Sequence, residues 1–388
     1  MKIDKKNPKH LFALAFFSIA VLIALLFSNF NFKKNTKNKT IILYGHKLAG
    51  NLLAIYNHWE KNHKQDFELK FLTMDITYYQ QLKADGMSVV LTSNLKQTVL
   101  LLTMADAVIS SHGLHTMEWL VSRTNIKFFD VWHGIPFKGF DTDDFRVQHK
   151  YDETWVASPL IAKLYAERFG FHESTIKVTG YARTDQLAKP IISQPEMKHR
   201  FQLPQNKSII LFAPTWQQDS KNRSIYPFGT TEDEFLTTLD DFAEQHDVLI
   251  VLRAHLNSPE TSNNNFKNIL YRPFASYPDT EALLYACDIL VCDWSSIAFD
   301  WLILKRPTIF LGVPAPFSKG FSLGPEYRFD TVVSNLNNLL SEMQKALNPM
   351  AEQKQKEYQI AFEKMYGSYG DGNSSQRCIE RLFTHLDS

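Results

Sequence analysis

The sequence predicts an α/β protein of two doubly wound halves behind an apolar N-terminal segment. Three observations carry this. From residue 40 onward, short apolar runs alternate with stretches of helical spacing. The alternation stops in a Pro- and polar-rich stretch at 189–207 and then restarts. Ahead of both, Leu11–Phe27 runs without a charge, a Gly or a Pro. At 388 residues the chain has room for two ordinary domains, and 44% apolar against 21% charged residues excludes disorder as its main state. Charge is uneven. Residues 1–40 hold eight Lys and one Asp, a net +7, and the remainder, with 34 basic and 40 acidic side chains, is −6. That split argues against a nucleic-acid-binding body and for a basic tail beside anionic lipid.

The elements follow in order. LFALAFFSIAVLIALLF (11–27) is too continuously apolar for a soluble surface helix and lacks a small-residue cleavage site after it, so it reads as an uncleaved membrane anchor. Four Lys precede it and four follow, which leaves its orientation open. IILYGH, FELKFLTMD, SVVLT, DAVISSHG, IKFFDVWHG, ETWVASP and TIKVTGYA read as strands, with helices between most of them. After the break come SIILFAPTW, DVLIVLRAH, NILYRPF, DILVCDWSS and PTIFLG, again with intervening helices, and three helical segments close the chain. The domains predicted are 1–39 (tail and anchor), 40–188 and 189–388. This is the layout of a GT-B fold: two Rossmann-like domains facing a cleft, with an N-terminal membrane anchor helix.

Several chemistries lack their signatures. No GxGxxG follows an early strand, there is no GxxxxGK[ST] loop, and no His/Cys group has zinc spacing. Asp141-Thr142-Asp143 spells a metal-binding triplet but reads as a solvated loop. Cys287, Cys292 and Cys378 read as reduced core thiols. No metal and no cofactor are expected.

Four segments at the carboxyl ends of predicted strands stand out, because open α/β sheets bind ligands there. In Trp132-His133-Gly134-Ile135-Pro136-Phe137-Lys138, a stiff turn exposes an imidazole able to accept an alcohol's proton, and Lys138 can meet a phosphate. The plain alternative is a strand cap with a structural His. In Arg253-Ala254-His255, cation and imidazole share one face of an extended segment, suited to a phosphoryl group and its leaving oxygen, or else are a surface Arg and a satisfied core His. In Asp293-Trp294-Ser295-Ser296, an apolar strand ends and a helix begins. Ser295 is a natural N-cap, and the first-turn amides with both hydroxyls suit a diphosphate, although a plain cap explains one Ser. In Ala213-Pro214-Thr215-Trp216, small, hydroxyl and aromatic groups can line a nucleotide pocket or simply pack a turn. Arg183 and Arg377 are further cations near the expected domain junctions, read as acceptor or phosphate contacts, or else as surface salt-bridge partners.

Taken together these segments resemble the CDP-glycerol glycerophosphotransferase family, the teichoic-acid primases and polymerases. WHGIPFK (132–138), GYARTD (180–185), APTW (213–216), RAH (253–255), DWSSIAFD (293–300) and DGNSSQR (371–377) match its motifs in order. The resemblance covers about residues 41–385. Trp294 stands where Tyr is usual, and LGVPAPFSKGFSLGPEY after Phe310 follows the family pattern only loosely. The resemblance implies a GT-B enzyme whose second half binds a CDP-polyol, CDP-glycerol or CDP-ribitol. An acceptor hydroxyl, lipid-linked in this family, would attack the phosphorus that carries the polyol, and CMP would leave. It implies His133 as base, His255 as a second essential imidazole, and Arg253, Ser295 and Ser296 as donor-phosphate ligands. The enzyme would then sit at the cell membrane with its body in the cytoplasm. The competing readings are a nucleotide-sugar glycosyltransferase and a catalytically dead, membrane-anchored binding module.

Overall fold

The structure, a computed structural model, describes residues 7–28, 39–113, 117–215, 226–253, 266–274 and 276–386. It separates into two compact units. The first comprises residues 1–133, 141–183 and 373–388, and the second comprises 134–140 and 184–372.

The first unit begins with α1 (Pro8–Ser28), β1 (Lys39–Tyr44), α2 (Asn51–Asn62) and β2 (Phe67–Thr73). It continues through α3 (Ile76–Ala84), β3 (Val89–Leu91), α4 (Leu95–Met104), β4 (Ala107–Ser110) and α5 (Glu118–Arg123). It then runs through β5 (Lys127–Asp130), β6 (Glu153–Val156), α6 (Pro159–Phe169) and β7 (Ile176–Val178). All strands pair in parallel in the order β3-β2-β1-β4-β5-β6-β7. Such a sheet is covered on both faces, which is why its strands read as near-continuous apolar runs. Alternate residues serve opposite faces. Ile42, Tyr44, Val108 and Phe128 pack with α1, α4 and α5, while Ile41, Leu43, Ile109 and Phe129 pack with α2 and the chain's last helix. The strand order reverses between β1 and β4, where doubly wound sheets open a crevice beyond their carboxyl ends.

The N-terminal segment is helical, as expected, but it does not stand clear of the body. Ala13, Phe17, Ala20, Val21 and Ala24 form one face, spaced at helical intervals, and are buried against the first unit. Three of the five are Ala, which lets the helix backbone come close; buried Phe17 adds about 2 kcal/mol of burial. The opposite face, with Leu11, Phe12, Ile19, Leu22, Leu26 and Phe27, is exposed, Leu26 by 69%.

The second unit contains α7 (Asp185–Ala188), α8 (Gln194–Arg200), β8 (Ile209–Ala213), α9 (Glu232–Gln245), β9 (Leu249–Leu252) and β10 (Ile269–Tyr271). It goes on through α10 (Thr280–Ala286), β11 (Ile289–Cys292), α11 (Ile297–Leu302), β12 (Thr308–Leu311), β13 (Val332–Val333), α12 (Leu336–Ala346) and α13 (Glu352–Tyr366). Its parallel order is β10-β9-β8-β11-β12-β13, with the reversal between β8 and β11.

Two expectations are revised here. The stretch 189–207, read as a break in the alternation of elements, carries α8. A Ser193–Glu196 capping box starts that helix, and Lys198, itself buried, pairs with Asp288 at 3.0 Å. The C-terminal segment, read with the second half, forms α14 (Ser374–Leu386), which belongs to the first unit. Cys378, Ile379, Leu382 and Leu386 make its apolar face. Arg381 and His385 reach Glu153, whose carboxylate is otherwise buried and also accepts Trp155 Nε1–H at 2.8 Å. Burial pushes that carboxyl's pKa up, but the hydrogen bonds from Arg381, His385 and Trp155 outweigh it and hold it low.

Candidate functional site

In the first unit the chemistry gathers where β5 ends. Asp130 is its last residue, Trp132 turns the chain with φ at +22°, and His133 follows. That turn is costly for a residue with a side chain and is held from three sides. Asn51, the first residue of α2, donates its amide to the Val131 and Trp132 carbonyls, both at 2.7 Å. Asp130 Oδ2 accepts the Trp132 N–H at 3.3 Å. Arg183 Nη1 donates to the His133 carbonyl at 2.6 Å, while Arg183 N donates to Asn51 Oδ1 at 3.1 Å. Arg183, read from the sequence as a cation near a domain junction, is buried and spends this donor on the histidine's own backbone. Arg377 acts likewise further away, donating from Nε to the Thr179 carbonyl at 2.7 Å.

His133 Nδ1 lies 3.2 Å from the Ser111 carbonyl. A carbonyl only accepts, so Nδ1 carries the proton and Nε2 keeps the lone pair. Surrounding protein, and then the Arg183 charge, push the pKa down to about 4, against the opposing pull of the Ser111 bond. The ring still meets solvent, so an alcohol can reach it. Asp130 is fully buried, Oδ1 has no partner among the described residues, and burial raises its pKa to about 7. Two further imidazoles flank His133. The His112 ring stacks on it at 4.7 Å, nearly parallel, and His46 lies 4.3 Å from His112. Sequence reasoning missed Asn51, Ser111, His112 and His46. The available signal was that both His46 and His112 directly follow apolar strands on either side of the reversal.

The rest of the WHGIPFKG segment belongs to the second unit. Gly134 takes φ +156° to turn out of the histidine. Phe137 packs against Phe299 and Trp294, and Lys138 bridges to Phe321. Gly139 is required because a Cβ there would collide with the Lys319 and Gly320 carbonyls. Lys138 is half-buried, with its ammonium 5.9 Å from the Phe140 ring centroid.

At the second sheet's reversal, Asp293 Oδ1 accepts both the N–H (2.7 Å) and the hydroxyl (2.5 Å) of Thr215, locking the ends of β8 and β11 together. Asp293, in the segment that the sequence marks for a diphosphate, is buried and clamps this turn. Ser295 and Ser296 stand half-exposed before α11, and Ser295 Oγ accepts only a long bond, 3.4 Å, from Ile297 N; Ser296, next to the helix, makes no side-chain cap. The expected strong cap is absent, so little of either hydroxyl's bonding is spent on the helix. Arg328, which sequence reasoning also missed, lays its guanidinium over Trp294 at 4.0 Å and donates to the Leu311 carbonyl at 3.3 Å.

Arg253 does not join this group. It is buried, donates to the Arg272 and Tyr277 carbonyls and, at 2.6 Å, to Thr280 Oγ1. These bonds hold its guanidinium beneath the strand exit. Trp216 and His255 lie outside the described residues.

Comparison with known proteins decides the family. The model of the CDP-glycerol:poly(glycerophosphate) glycerophosphotransferases matches residues 26–384. The chain belongs to that family. It is a transferase of the kind that builds teichoic acids. The teichoic acid poly(glycerol phosphate) polymerase of Bacillus spizizenii is 25% identical over 287 residues, 68% of this chain and 71% of the relative. The ribitol-phosphate polymerase TarK of Staphylococcus aureus is 24% identical over 292 residues, 67% of this chain, and the match spans only 53% of that protein. The structure of a variant of the wall teichoic acid polymerase TagF superposes with a TM-score of 0.74 at 20% identity, over 98% of this chain and 97% of that one. That likeness supports the fold: α/β, with two parallel sheets.

Proposed function

We propose that the chain moves a polyol phosphate from a CDP-polyol to a hydroxyl of a lipid-linked acceptor and releases CMP. The observation that carries this reading is the tautomer of His133: Nδ1–H is committed to Ser111, so Nε2 is the atom that takes the hydroxyl proton. As it does, the hydroxyl oxygen bonds to the phosphorus bearing the polyol. The bond from that phosphorus to the bridging oxygen breaks, and CMP departs with its electron pair. His255 is the proposed second imidazole, on the donor side. In this reading the acceptor is held by the body's first half (40–188) and the donor by 189–388, with Ser295, Ser296, Trp216 and Lys138 at the nucleotide and its phosphates. Asp293 and Arg253 hold the donor-side exits in place, as Arg183 and Arg377 do on the other side.

The donor polyol is glycerol by family and ribitol by some relatives, so both are tested. Purified protein is given CDP-glycerol, CDP-ribitol or a nucleotide sugar, and the released nucleotide is identified. CMP is expected. A nucleoside diphosphate would mean glycosyl transfer, and no turnover with any donor would mean a binding module.

We also propose that the enzyme works at a membrane through α1, with its body in the cytoplasm where nucleotide donors are made. Supporting this are the exposed apolar face of α1 and the eight Lys in residues 1–40. Because the inner face of α1 is taken up by the first unit, the helix lies against the body and wets only its outer face with lipid. Flotation with anionic vesicles tests binding, and protease access in sealed vesicles tests sidedness.

A further inference from the structure

Strands β1, β4 and β5 are neighbours in register, Tyr44 beside Ser110 and Ser110 beside Asp130. Two residues past the first two of these positions come His46 and His112, and three past the last comes His133. The strained turn at Trp132 supplies the extra residue and brings the third ring into line with the others. His112 and His133 are almost coplanar in orientation, 6° apart at 4.7 Å between centroids. Ser111 joins the pair twice: its carbonyl accepts from His133 Nδ1, and its hydroxyl lies 2.9 Å from His112 Nδ1. Gly45 makes room for this, since a Cβ there would come within 2.8 Å of Ser111 Oγ and of Leu52 Cδ1.

We propose that His112 is a positioning residue for His133: its ring is the flat, uncharged surface that keeps the base neutral and oriented through Nε2. The inference rests on His133 being the base. A flat ring stacked on one face of His133 keeps water off that face, and burial of this kind disfavours the imidazolium. His112 is kept in the neutral state by burial first, and by His133 and His46 next, all of which lower its pKa. The charged or titratable groups facing His133 from other elements are Arg183, after β7, and His46, after β1; both disfavour its protonation. On its own strand, Asp130 is turned to the Trp132 N–H.

The test uses the full chain with 13C-labelled histidines and three variants, His112→Ala, His112→Phe and His133→Gln, the last assigning the His133 signal. In His112→Ala, water fills the space, the His133 titration midpoint rises by about one pH unit or more toward that of free imidazole, and the rising limb of kcat against pH moves up with it. Turnover of CDP-glycerol at neutral pH falls about 10- to 100-fold with donor KM unchanged. His112→Phe keeps a flat, uncharged face and retains both midpoint and most of kcat. A His112→Ala protein with native midpoint and native kcat overturns the proposal, and so does a folded His112→Phe protein as impaired as His112→Ala. If His133→Gln turns over normally, the base assignment fails instead, and the titration midpoint still decides whether the stack sets the state of the ring.

Discussion

The two strand exits of this protein solve different problems with similar means. At the β5 exit Asn51, Arg183 and Asp130 turn inward and bond the backbone around His133, while burial and then the Arg183 charge disfavour protonation of the ring. At the β8 and β11 exits one carboxylate clamps a turn, Arg328 lies half-buried over Trp294, and the Ser295 and Ser296 hydroxyls stay half-exposed. A group that takes a proton must be neutral and precisely aimed, whereas a group of phosphate ligands must be positive and hydrated until the donor arrives. The difference teaches that the charged residues of a motif need not be the ones that touch substrate.

The contrast breaks most directly at His133. His133→Ala should lower kcat by 10²–10⁴-fold while the far-UV circular dichroism and melting profile stay native; near-native turnover would remove the first exit from the chemistry. Asp293→Ala should act on binding: with both Thr215 donors left unpaired, stability falls by about 1–3 kcal/mol and donor KM rises about tenfold, with kcat changing less. Asp293→Asn, which keeps an acceptor oxygen, should recover most of that. A kcat defect with unchanged KM would show that the clamp serves the reaction step.

Asp130 sharpens the comparison through pH. Its folded pKa, about 7, lies above its unfolded value near 3.8, so the folded state binds the extra proton between those pH values. Stability contributed by this group is full below about pH 4 and is lost as pH rises through 7, at up to about 1.4 kcal/mol per pH unit. Asp130→Asn should flatten that slope in urea melts taken from pH 5 to 8; an unchanged slope would mean the carboxyl ionises without cost. The smallest effect is expected from Arg328→Lys, which keeps the charge but loses the planar stack on Trp294. Donor KM should rise about threefold with stability altered by less than about 1 kcal/mol, and isothermal titration with CDP-glycerol would read it.

Much of this was legible in the sequence because it is local. Apolar runs bounded by turns place the strands, and the exits carrying His133, Thr215 and Asp293 follow from where those runs end. What was not legible depends on partners distant along the chain. The partners of Arg253, the carbonyls of Arg272 and Tyr277, lie about twenty residues on and cannot be read from the strand-end segment itself. His112 and His46 look like ordinary strand ends until parallel pairing sets three exits side by side. The helical N-terminal segment is evident from hydropathy alone, but its small-residue face, Ala13, Ala20 and Ala24, signifies packing only once α4 and α5 are there to receive it.

Helix α14 has a consequence for how the protein is made. It supplies Cys378, Ile379, Leu382 and Leu386 to a core whose other members come mostly from residues 41–182. While the chain leaves the ribosome, the first unit can assemble its sheet early, yet α2 keeps an uncovered apolar flank until residues 374–386 emerge, some two hundred positions later. The second unit is synthesised in the meantime. Biogenesis is thus ordered by the last helix, and a nascent chain stalled short of it would present chaperones with a sticky, half-finished domain.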